Sequence, residues 1–301
     1  MNIMGSLCNG TYLILLTLST CAHVVFSQLP VTSLYLLNIQ EDGKDLSLSK
    51  PTYLSSFNPN GYNNQPFFIS DSELLFTSDA DSPGVTDIFH ADIRRGILSN
   101  ITKSGSAEYS PQLSLDKEHL LMIKVDEEGK QYLAKADWPT VKEITYLFPD
   151  LDNVGYYLEF SADTFVAFLV ASPVELWALP VSGKTRRGLS RNIGRCIQRY
   201  NANEILYVHK LSPEKWTLRT MHIGEGVSGY ISDMPKGVED FVLLKGGRVL
   251  CADKSAIYLL DPKAYGSNKW KLLMDLSFLK VGIITRMAVN ESQSQIVLVG
   301  Q

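Results

Sequence analysis

A unit that occurs twice in succession limits what this chain can fold into more than any other feature. It reads first as Asn64-Gln65-Pro66-Phe67-Phe68-Ile69-Ser70-Asp71, then Leu74-Leu75-Phe76-Thr77-Ser78, then Asp87-Ile88-Phe89. It returns as Tyr109-Ser110-Pro111-Gln112-Leu113-Ser114-Leu115-Asp116, then Leu120-Leu121-Met122-Ile123, then Gln131-Tyr132-Leu133. Self-similarity at this period marks a repeat architecture, in which each unit buries its faces against its neighbours. The clearest register mark is the turn after the first apolar segment. It falls at Asp71, Asp116, Asp163, Asn203, Gly247 and Ser292, at intervals of 45, 47, 40, 44 and 45 residues. Asp and Asn bond their own backbone in turns and Gly accepts positive φ, so each is a physical turn signal.

A short β-rich run follows each mark: Leu74 to Thr77, Leu120 to Val125, Thr164 to Val170, Ile205 to Val208, Val249 to Ala252 and Ile296 to Val299. Two such runs joined by a tight turn make a hairpin. A third strand carries an aromatic at Phe89, Tyr132, Trp177, Trp216 and Tyr258. The sixth unit stops after two strands, and Ser33-Leu34-Tyr35-Leu36-Leu37 has the missing third-strand character, with Lys50 to Leu54 as its fourth strand. Gln40 to Lys50 and Asn58 to Asn63 read as polar connectors. No window keeps helical periodicity with caps. The reading is all-β: one six-bladed β-propeller of four-stranded blades over residues 28–301, with the N-terminal segment completing the last blade and removing the open edge.

Composition excludes some functions. Lys plus Arg number 28 against 32 Asp plus Glu, a net charge of −4, and the short basic clusters at Arg94-Arg95 and Lys184 to Arg187 read as solvated turns. Nucleic-acid binding needs a concentrated positive face, so no nucleic-acid partner is expected. Residues 1–27 read as a signal peptide, with an apolar core from Tyr12 to Leu18 and Val25-Phe26-Ser27 before the cut, although no Lys or Arg precedes the core. The expected location is secreted, extracellular or periplasmic, with no stable membrane insertion after cleavage. Cys196 and Cys251 remain in the mature chain, either as buried free thiols or as one bridge between adjacent units. Asn100-Ile101-Thr102 and Asn290-Glu291-Ser292 are candidate glycosylation sites.

The first two units resemble the TolB-type, WD-like β-propeller repeat. Ile69-Ser70-Asp71 and Ser114-Leu115-Asp116 stand at its turn, Leu75-Phe76-Thr77-Ser78 at its second strand and Asp87-Ile88-Phe89 at its third. Asn100-Ile101-Thr102 is similar to the ending of its fourth strand. Both turns lack the family's Gly, and later units keep only the hydrophobic rhythm. The resemblance implies a closed six-bladed ring around a central channel. The repeat occurs in periplasmic TolB and in the propeller of dipeptidyl-peptidase IV-like enzymes, so it does not fix a function.

No catalytic motif stands out. Gly226-Val227-Ser228-Gly229-Tyr230 misses the nucleophile elbow, and His90, His119, His209 and His222 are scattered over different units. Asp79, Asp81 and Asp87 have cation-loop character but lack the remaining ligands, so they read as a solvated turn. No cofactor, metal or catalytic residue is expected. The best candidate site is geometric: the residues entering each inner strand ring the channel mouth. By register they are Asn63 or Asn64, Glu108, Gly155 or Tyr156, Arg195, Glu239 or Asp240, and Thr285 or Arg286. Such a ring could hold a polar ligand or peptide, hold a cation between Glu108 and Glu239 or Asp240 as in propeller lactonases, or neutralise itself through Arg195 and Arg286. The expected role is a monomeric module that binds a protein, peptide or ligand. A hydrolase or lactonase with a channel cation is the alternative.

Overall fold

A computed structural model of the chain describes residues 29–43, 45–264 and 269–301. The signal peptide expected at residues 1–27, with its cut, lies outside these residues. The N-terminal segment contributes β1 (Ser33–Asp42), β2 (Asp45–Leu48) and β3 (Thr52–Tyr53). Blade 1 is β4 (Asn63–Phe68), β5 (Glu73–Ser78), β6 (Asp87–Asp92) and β7 (Ile97–Asn100), and blade 2 is β8 (Glu108–Leu113), β9 (His119–Val125), β10 (Gln131–Asp137) and β11 (Thr145–Tyr146). Blade 3 is β12 (Val154–Ser161), β13 (Thr164–Leu169), β14 (Glu175–Pro180) and β15 (Arg187–Arg191). Blade 4 is β16 (Ile193–Arg199), β17 (Glu204–Ser212), β18 (Lys215–His222) and β19 (Ser228–Asp233). Blade 5 is β20 (Phe241–Leu243), β21 (Val249–Asp253), β22 (Ala256–Leu260) and β23 (Lys271–Asp275). The sixth sheet joins β24 (Ile284–Val289) and β25 (Gln295–Gly300) to β1 and β2. Six antiparallel sheets thus make the propeller expected from the register marks.

The second strand of each blade explains why apolar runs are continuous here. Four successive residues of β5, Leu74 to Thr77, are buried, as are Leu120 to Ile123 in β9 and Ile296 to Val299 in β25. A strand between two neighbouring sheets is buried on both faces and loses the apolar/polar alternation of a half-exposed strand. Its alternate residues serve different interfaces. Leu74 and Phe76 pack with Leu34, Val297 and Val299 of the sixth blade, whereas Leu75 packs with Leu120 and Met122 of blade 2. Leu206 and Val208 meet blade 5 at Val249 and Cys251, while Ile205 and Tyr207 meet blade 3 at Val166 and Phe168. The last interface joins Leu250 and Ile257 to Leu37 and Leu298. The core is therefore a ring of inter-sheet layers. Each fully buried Leu, Ile or Phe contributes about 1.5–3 kcal/mol.

Closure pairs β1 with β25 from Ser33↔Gly300 to Asn38↔Gln295. One detail corrects the sequence reading. The expected fourth strand at Lys50 to Leu54 is only the two-residue β3, beside Tyr35 and Leu36. Most of the outer edge comes from β2, which the sequence reading treated as connector and which pairs from Ile39↔Leu48 to Asp42↔Asp45. The reason is a hairpin at Gly43, whose φ of 61° suits a tight turn, with Ile39 and Leu46 both buried.

Candidate functional site: the mouth of the central channel

The inner strands are irregular, and the irregularity builds the site. Pairing with the second strand skips between Asn64 and Phe67 in β4 and between Tyr109 and Gln112 in β8. Similar breaks lie between Val154 and Tyr156, Ile193 and Ile197, and Ile284 and Arg286. At the first two breaks Gln65 and Ser110 take φ of 54°, and each precedes a proline. Proline has no N–H for the ladder, so in a paired strand it sits at a bulge. Asn64 Oδ1 accepts the Gln65 N–H at 2.8 Å and holds the first bulge. Each bulge re-aims one side chain toward the axis.

The side chains brought together are Gln65, Ser110, Tyr156, Arg195, Asp240 and Arg286, one from each blade, lining a cavity of about 380 Å³ along the axis. Asp240 is the hub. Its Oδ2 accepts Arg195 Nε at 2.7 Å, and its Oδ1 lies 3.2 Å from Arg286 Nη1. Arg195 Nη2 also donates to Thr285 O at 2.7 Å. Arg286 Nη2 donates to the Tyr156 hydroxyl at 2.8 Å, and its guanidinium carbon lies 4.7 Å from the Tyr156 ring centroid. Asp240, then Tyr156 and Tyr62, hold the Arg286 guanidinium protonated against the burial that opposes its charge. Behind the ring, Glu239 accepts Lys210 Nζ at 2.7 Å and lies 3.5 Å from Arg195 Nη1.

The structure places only part of the expected ring on the channel. Tyr156, Arg195, Asp240 and Arg286 line it, and the arginines and Asp240 pair with one another. Of the paired alternatives, Tyr156 rather than Gly155, and Arg286 rather than Thr285, reach the cavity. Asn63, Asn64, Glu108 and Glu239 do not line it. Asn63 is fully buried, with Nδ2 donating to Thr32 O and Asn58 O at 2.9 and 2.8 Å. It fastens the N-terminal segment to blade 1. Glu108 is also fully buried, and its Oε1 accepts Lys124 Nζ at 2.7 Å and the Ser104 hydroxyl. Its charge is therefore met by Lys124, away from the side chains that line the cavity. In blades 1 and 2 the channel position lies beyond the bulge, at Gln65 and Ser110. The Gln-Pro and Ser-Pro pairs were the signal that could have found them.

Other expected sites are placed plainly. Asp79 Oδ1 accepts the Tyr62 N–H at 2.8 Å and Asn58 Nδ2 at 2.9 Å, while Asp81 and Asp87 both accept from Asn100 Nδ2, at 2.8 and 2.7 Å. Among the described residues no three His, Cys, Asp or Glu side chains are grouped to hold a metal ion. The Asn100 amide of the first sequon is thus held between two carboxylates. Asn290 of the second is 2% exposed, and its Nδ2 donates to Ser294 Oγ at 3.1 Å. Cys196 and Cys251 are free thiols, so no bridge links the units.

These features define a class: a closed six-bladed β-propeller with a charged ring at one mouth of its axial channel. Solved structures of that fold match it. A putative TolB from Agrobacterium tumefaciens aligns with a TM-score of 0.65 at 11% identity, over 89% of this chain and 97% of that one. TolB from Acinetobacter baumannii aligns at 0.56 and 13% identity, over 92% of this chain and 64% of that one. An oligogalacturonate lyase in complex with manganese aligns at 0.52 and 13% identity, over 90% and 78%. The fold is that of the TolB-like six-bladed propellers. No family model and no curated protein matches the sequence.

Proposed function

We propose that the chain is a secreted, monomeric propeller that binds a protein or peptide through the mouth of its channel and performs no chemistry there. The carrying observation is the ring itself: one side chain from every blade converges on a cavity of about 380 Å³. That volume lies in the range of small-molecule and side-chain pockets, about 300–1,000 Å³. The charged groups of the ring are locked in ion pairs, as in a preorganised recognition surface. The leader expected at residues 1–27 supports export to an extracellular or periplasmic space, and Asn100, half-buried where Asn290 is buried, is the better glycosylation candidate. A channel-cation enzyme is the second reading, favoured by the fold likeness to the lyase in complex with manganese. The pairing of Glu108 with Lys124, outside the cavity lining, weighs against it. The test is recovery of partners from the medium of secreting cells by wild type and by an Arg195→Gln/Asp240→Asn variant with an unchanged thermal melt. The variant is expected to lose the partner. Equal recovery sinks the channel-mouth reading.

A further inference from the structure

The ring offers hydrogen-bond donors and positive charge but almost no open acceptor. Arg195 and Arg286 face the single carboxylate Asp240, and adding the flanking Lys210 and Glu239 keeps the count at three cations against two anions. Both Asp240 oxygens are engaged by guanidinium groups. The Gln65 carbonyl oxygen accepts the Ser110 backbone N–H and the Thr77 hydroxyl, each at 2.9 Å. A backbone N–H needs an acceptor, so this amide cannot be flipped, and its NH₂ end is the one left over. Among the described residues Gln65 Nε2 has no acceptor, although Gln65 lines the cavity. The Tyr156 hydroxyl accepts from Arg286 and retains its own proton for donation.

We infer that the channel mouth recognises a carboxylate, presented by an acidic side chain or a C-terminus of a peptide, through Gln65 Nε2, the Tyr156 hydroxyl and the excess charge of Arg195 and Arg286. This rests on the binding role proposed above and adds the chemistry of what is bound. A carboxylate supplies acceptors where the ring offers mainly donors, and bonds from charged donors are the stronger kind. A cation entering the same cavity meets like charge, with the neutral Ser110 hydroxyl as the one ring side-chain oxygen that has no partner.

The test is calorimetric titration of the full chain with acetyl-Gly-Gly-Glu, its Gln C-terminal amide, acetyl-Gly-Gly-Lys amide and succinate. The acidic peptide is expected to bind and the neutral and cationic peptides to fail. Succinate tells whether a free carboxylate suffices or the peptide is needed. Gln65→Glu keeps the oxygen that holds Ser110 and Thr77 but replaces the NH₂ with a carboxylate oxygen. It should weaken the acidic peptide by about tenfold or more, the loss of one charge-assisted hydrogen bond, with the urea midpoint nearly unchanged. A preference for the Lys peptide would overturn the carboxylate assignment while leaving the channel a binding site. No saturation by any probe, with the Arg195→Gln/Asp240→Asn variant still recovering partners, would remove both.

Discussion

At the scale of single residues, the two cysteines show how burial sets chemistry. Burial, then the nearby Asp240 charge, pushes the Cys196 thiol up to about 12, and burial raises Cys251 as well. Phe241 lies between them: its carbonyl accepts the Cys196 thiol at 3.3 Å, and its strand partner is Cys251. Cys251 is buried and Cys196 is half-buried on the cavity wall, but the thiolate is disfavoured at both, so both are expected to react slowly with a disulfide reagent at pH 8 in the native protein and at once in urea. Rapid labelling of either in the folded state would contradict this placement. The sign of the pH effect follows. Unfolded thiols ionise near 9.0 but the folded Cys196 only near 12, so between those values the folded state holds more protons. Stability attributable to Cys196 is complete below about 9 and is lost as pH rises toward 12. Cys196→Ala should flatten that alkaline limb in urea titrations. Sequence left the thiols open between free and bridged, because which strands neighbour one another is visible in the repeat but side-chain direction is not.

At the scale of elements, neighbouring inner strands are joined by side chains. Gln65 Oε1 accepts the Ser110 N–H, Gln112 Nε2 donates to Tyr157 O, and Leu243 N–H donates to Gln198 Oε1, each across 45 residues. Gln198 Nε2 also donates to Phe241 O at 2.7 Å. An amide offers a donor and an acceptor together, which suits a gap between strands that splay around a hub. Gln198→Ala leaves the Leu243 N–H without its side-chain acceptor and leaves the Phe241 carbonyl only the weaker Cys196 thiol. It is expected to cost about 1–3 kcal/mol in urea unfolding, and an unchanged midpoint would show that water replaces it without loss. The same strands mark the limit of sequence reading. Asp71, Asp116, Asp163, Asn203, Gly247 and Ser292 all fall in the turn after an inner strand. Counting back from them located Arg195 and Arg286 on the channel but stopped short at Asn63 and Glu108. Bulges add a residue to one strand without changing the spacing of turns, so the period stays legible while the facing does not.

At the scale of the whole molecule, the ring depends on a pairing between the two ends of the chain. The aromatic at Tyr35 made that pairing legible, whereas the β2 edge was hidden by its polar residues. A chain beginning at residue 55 would lack β1 to β3 and leave the β25 edge bare. Bare edges invite pairing with other chains, so it should elute as oligomers, and a peptide spanning residues 29–54 should restore the monomer. Monomeric elution of the shortened chain by itself would show that closure is dispensable. The acid limb is also a property of the whole ring. Hydrogen bonds from Ser292 to Asp71, from Ser114 to Asp116 and from Ser182 to Asp163 hold three turn carboxylates below their ordinary 3.8. Their contribution is present above about 3.8 and fades as pH falls below it. The pairing of Ser33 with Gly300 has one more consequence, in time rather than space. In a chain made from its N-terminus, β1 has β2 and β3 beside it at once but keeps its apolar β25 side bare while five blades emerge behind it. Only when β25 follows them does the circle close, so the last contact to form joins the segments furthest apart in the sequence.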